Sequence, residues 1–92
     1  MTQLSPGLSV RIKCTVQPGP FSEERLVSFD TITGPVTGFV REGNLVNRDN
    51  NHWLVQGTVI AVDRDVIEVR VEGSFFTTNG IATISKEMAL AA

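Results

Sequence analysis

The residues in this chain that could do chemistry are few, and their spacing limits them at once. There is one histidine, His52, and one cysteine, Cys14. A metal centre or general base built on His52 needs partners, and the carboxylates to hand are Asp49, Asp63 and Asp65. Their spacing does not arrange them around it. Asp63 and Asp65 flank Arg64 in a polar tripeptide, and turn chemistry explains both. Cys14 alternates with Val10, Ile12 and Val16 and reads as a small buried hydrophobe with no basic partner to activate it. Gly34, Gly38 and Gly43 are spaced as strand and turn residues without a following helix, so they form no phosphate loop. The expectation is therefore a chain without catalytic residues, metal or cofactor, and not an enzyme.

Two kinds of recognition remain. Small barrels hold single-stranded nucleic acid by stacking bases on aromatics beside cations. Arg11, Lys13, Phe39, Arg41 and Trp53 could do this, with Arg48 and Phe76 beside them. The formal net charge of −2 weighs against it, because phosphate neutralisation supplies much of that affinity. No nucleic-acid binding is expected at physiological salt, and a single-strand (RNA) binder is the alternative reading. The other kind is protein docking. The stretch Gln17-Pro18-Gly19-Pro20-Phe21-Ser22-Glu23-Glu24-Arg25 is longer than a strand connection requires, and its prolines stiffen it. Phe21 either plugs one end of the barrel under this loop or stands exposed as the anchor of a contact, with Glu23, Glu24 and Arg25 selecting at the rim. Phe76 and Ile81 would add an apolar spot.

The elements that must position these residues are strands. The chain is organised around His52 to Val71. Trp53, Val55, Gly57, Val59 and Ala61 lie along one arm; Ile67, Val69 and Val71 alternate with Glu68, Arg70 and Glu72 on the return. Before it, Leu8–Val16 alternates cleanly, and Pro18 and Pro20 stop it. Leu26–Ile32 and Val36–Val40 follow, separated by the turn Thr33-Gly34-Pro35, and then the short Leu45–Val46. Asn47–Asn51 reads as an exposed loop. Asn79-Gly80 between Ser74–Thr78 and Ile81–Ile84 predicts a two-residue type I′ hairpin. It would pair Phe75 and Thr77 with Ala82 and Ile84 on one face. Ser85 is placed to cap a helical turn at the C-terminus. V-x-G-x-V occurs at Val36–Val40 and Val55–Val59, and a glycine inside a strand marks a bend.

These readings add up to one all-β domain over residues 1–92: a small antiparallel barrel of about six strands with a short C-terminal helical turn. Leu8, Val10, Ile12, Val27, Phe29, Val59, Ile67, Val69, Val71, Phe75 and Ile84 form the predicted core. A hydrophobic fraction of 41% and a charged fraction of 20% argue against disorder. A single cysteine suits a reducing, cytoplasmic setting. No apolar run approaches the ~20 residues that cross a bilayer, and Met1 to Pro6 carries no leader pattern.

Two pieces carry a resemblance. Pro6-Gly7-Leu8-Ser9-Val10-Arg11-Ile12 is similar to the first strand of SH3-like barrels, G-x-x-V-R-[IV]. Gly57-Thr58-Val59-Ile60-Ala61-Val62-Asp63 is similar to a later strand of the same families, G-T-V-x-x-V-D. Both resemble the small barrel subunits of photosynthetic electron-transfer complexes: photosystem I reaction-centre subunit IV and the ferredoxin-docking subunit of the plastid-type NDH complex. The resemblance implies an SH3-like barrel acting as an accessory subunit, peripheral on a membrane complex. About 45 residues separate the pieces here, more than in those barrels.

Overall fold

The computed structural model describes residues 4–18, 23–49, 52–75 and 80–91. Its architecture is one curled antiparallel sheet, a half-barrel, built by strands whose alternation puts one face inside. β1 (Ser9–Pro18) is the strand the two halves share. Its first part, Ser9 to Cys14, pairs with β5 (His52–Asp63), while Thr15 to Pro18 pairs with β2 (Glu24–Thr31). A strand that changes partner midway must bend, and that bend curls the sheet. β2 pairs with β3 (Gly34–Arg41) along its whole length. β5 pairs with β6 (Val66–Val71), which pairs with β8 (Ile81–Ser85). Including β7 (Ser74–Phe75), the order is β7-β3-β2-β1-β5-β6-β8. β4 (Leu45–Asp49) lies against β5, and β9 (Ala89–Ala91) against β1.

The inward residues fill one core. Val10, Ile12, Val27, Val55, Ile67, Val69 and Ile84 are completely buried, and Phe29, Val40, Val59, Val71 and Ala82 nearly so. No polar side chain is buried with them among the described residues. The predicted core therefore holds, with Leu8 and Phe75 half-buried at its margin. Phe75 meets Phe29 edge-on, with ring centroids 5.6 Å apart, a favourable aromatic geometry. Leu54 is buried outside this core cluster. The register sets it between Lys13 and Val46 on the other face of β5.

Two glycines make the closure possible. After β6 the chain crosses at Glu72-Gly73 and β7 pairs with β3, Gly38 opposite Phe75. A Cβ at Gly38 would stand 2.5 Å from the Ser74 carbonyl oxygen and 2.6 Å from the Phe75 Cα. A Cβ at Gly57 would sit 3.1 Å from the Arg70 carbonyl oxygen and from Ile12 Cδ1. The repeated V-x-G-x-V thus marks two places where backbone comes close. Opposite β7 the rims of the sheet meet at a seam, where the Ile32 N–H donates to the Thr83 carbonyl oxygen (3.0 Å).

Several expectations are corrected. Of the expected Asn79-Gly80 hairpin, the described parts pair elsewhere in the sheet as well: β7 joins β3 and β8 joins β6. Phe76, Thr77, Thr78 and Asn79 lie outside the described residues. Val71 N–H donates to the Gly80 carbonyl oxygen, so the return strand is matched to β6. Ala61 leaves the core face because the register shifts between Val59 and Ala61, a bulge that sets Ala61 opposite Glu68. Asn47 to Asp49 belong to β4 rather than a loop, since β5 supplies their partners; Asn50 and Asn51 lie outside the described residues. β1 runs on through Pro18, opposite Arg25. β3 begins at Gly34, so the turn is Ile32-Thr33. The helical turn is a short 3₁₀ segment, Lys86–Met88, after which the chain returns to strand. Ser85 makes no capping bond through its side chain. Nine strands replace about six among the described residues, because β4, β7 and β9 are short pieces set by tertiary pairing.

Candidate partner-docking site

The sequence-predicted recognition residues divide among different surfaces. Phe39 and Arg41 point outward from β3, the parity opposite to buried Val40. Glu24, at the start of β2, is the cross-strand partner of Arg41. The crossing after β6 brings Glu72, Gly73 and Ser74 alongside. Together with Asn44 these residues line one hollow. A second hollow continues from Asn44 and Glu72 to Gln56, Thr58 and Arg70 on the outer faces of β5 and β6. The two share Asn44 and Glu72, so they form one open trough. Its lining alternates sign: Glu24, Arg41, Glu72 and Arg70 around the half-buried Phe39 ring.

The end of this trough is pinned. Arg25 reaches Glu42 at 3.3 Å, tying the start of β2 to the 3₁₀ turn Glu42–Asn44 that follows β3. The Glu42 N–H donates to the Glu23 carbonyl oxygen (2.8 Å). Arg25 also donates from its guanidinium to the Glu24 carbonyl oxygen (3.1 Å). Of the expected loop contacts only Glu24 lines the trough; Arg25 is opposite buried Val40, and Glu23 is exposed ahead of β2. Phe21 and Phe76 lie outside the described residues.

The nucleic-acid set is not gathered. Arg11 and Lys13 project from the outer face of β1, opposite Gln56 and Leu54. Lys13 lines a different hollow, with Cys14, Ser28, Phe29 and Met88. Trp53 is half-buried, across from Cys14 and Asn47. Arg11 and Lys13 share the outer face of β1, while Phe39 and Arg41 share the trough with two carboxylates beside them.

Cys14 is half-buried beside the core. Burial pushes its thiol up to about 12, so it stays protonated at neutral pH and is a poor nucleophile. Among the described residues no group of three or more His, Cys, Asp or Glu is placed to hold a metal ion. His52 opens β5. No helix of the described residues is long and apolar enough to cross a membrane.

Sequence reasoning missed Asn44, Gln56, Thr58, Arg70 and Glu72 as site residues. Their signal was present only as outward parity on β5 and β6; the crossing at Gly73 is what joins them to Phe39 and Arg41. It also missed Ile32, which the fold sets beside Ile81. No protein-family model matches the chain, and neither a curated protein nor a solved structure does.

Proposed function

We propose that this chain is a non-catalytic docking module, an accessory subunit that holds a protein partner in the trough around Phe39. The observation that carries this is the mixed-sign lining, Glu24, Arg41, Glu72 and Arg70, around a half-buried aromatic. Such a surface reads a polypeptide's own alternating charges and gives selectivity at the rim. It suits nucleic acid poorly, since Glu24 and Glu72 repel the phosphates that Arg41 would attract. The protonated Cys14 thiol agrees with a role in binding rather than catalysis. The resemblance of Pro6–Ile12 and Gly57–Asp63 to small barrel subunits supports an assembly of the electron-transfer kind, with the chain on its periphery in the cytoplasm.

Two measurements test the reading. Affinity capture from native cells should return a protein at fixed stoichiometry with the wild type, and lose it with Glu24→Lys/Glu72→Lys. Anisotropy with a short single-stranded RNA should show no binding at physiological salt. Micromolar RNA binding that weakens steeply with salt and is lost in Phe39→Ala would replace this reading with the nucleic-acid one.

A further inference from the structure

We draw no further inference here: the strongest candidate, the uncharged hollow at the seam between the β2–β3 turn and β8, where exposed Ile32 and Ile81 stand among Thr31, Thr33 and Thr83, carries nothing because nothing in the structure shows what covers it.

Discussion

At the scale of single residues, Cys14 shows how environment sets reactivity. Its thiol is held near 12 in the fold, against an ordinary value of 9.0. Alkylation of the native protein by iodoacetamide at pH 8 should be slower than that of the urea-unfolded chain by at least an order of magnitude; equal rates would show the thiol to be accessible as thiolate. The same shift links stability to pH. Above pH 9 the unfolded chain gives up the thiol proton while the folded chain keeps it, so the folded state binds more protons. Stability therefore falls as pH rises from about 9 towards 12. Urea midpoints taken at pH 8 and pH 10 should show this fall in the wild type, and a smaller one in Cys14→Ala.

At the scale of elements, the crossing after β6, which pairs β7 with β3, is the joint that brings the trough together. Its tolerance is set by Gly38, where an added methyl would meet backbone at 2.5 and 2.6 Å. Backbone cannot yield as a side-chain end can. Gly38→Ala is expected to destabilise by about 3 kcal/mol, read as a shift of the urea midpoint. Gly43, in the 3₁₀ turn after β3, has nothing within 4 Å of its Cβ position. Gly43→Ala should stay within about 0.5 kcal/mol of the wild type. Equal effects at the two positions would contradict the crossing. The β5 bulge is a second joint of this kind. It turns the far end of β5 so that Val62, opposite Ile67, packs towards the core.

At the scale of the whole molecule, 92 residues support one core and a stability of about 5–14 kcal/mol. Ile67 lies at its centre, completely buried and paired with both Val62 and Ile84. Ile67→Ala removes packing that no other layer replaces, at a cost of about 3 kcal/mol. For a domain this size that lowers Tm by about 15 °C, measurable by thermal circular dichroism. A drop of less than about 4 °C would mean the sheet does not close around this residue. The same closure places two hollows apart: a mixed-charge trough beside β7 and an uncharged, threonine-lined hollow between the β2–β3 turn and β8.

The sequence by itself determined which side of the most regularly alternating strands faces inward. Val10 with Ile12, Val27 with Phe29, and Ile67 with Val69 and Val71 alternate with polar residues, and burial of apolar area rewards one face only. The Asp63-Arg64-Asp65 turn was legible for the same local reason, and Arg64 there adopts φ 54°. What only the tertiary structure decided is partner choice. Ser74-Phe75 and Ile81–Ser85 each have strong strand preference, and Asn79-Gly80 favours joining them. In the sheet β6 offers Val69 to Ala82 and Ile67 to Ile84, while β3 offers a bare Gly38 to Phe75. Neither β3 nor β6 can be read as a partner from within those two stretches. Through those pairings Glu72 and Arg70 gather near Phe39 and Arg41, and Ile32 meets Ile81. Strand alternation is written within six residues; which edges meet depends on how the whole sheet closes, and no short stretch carries that.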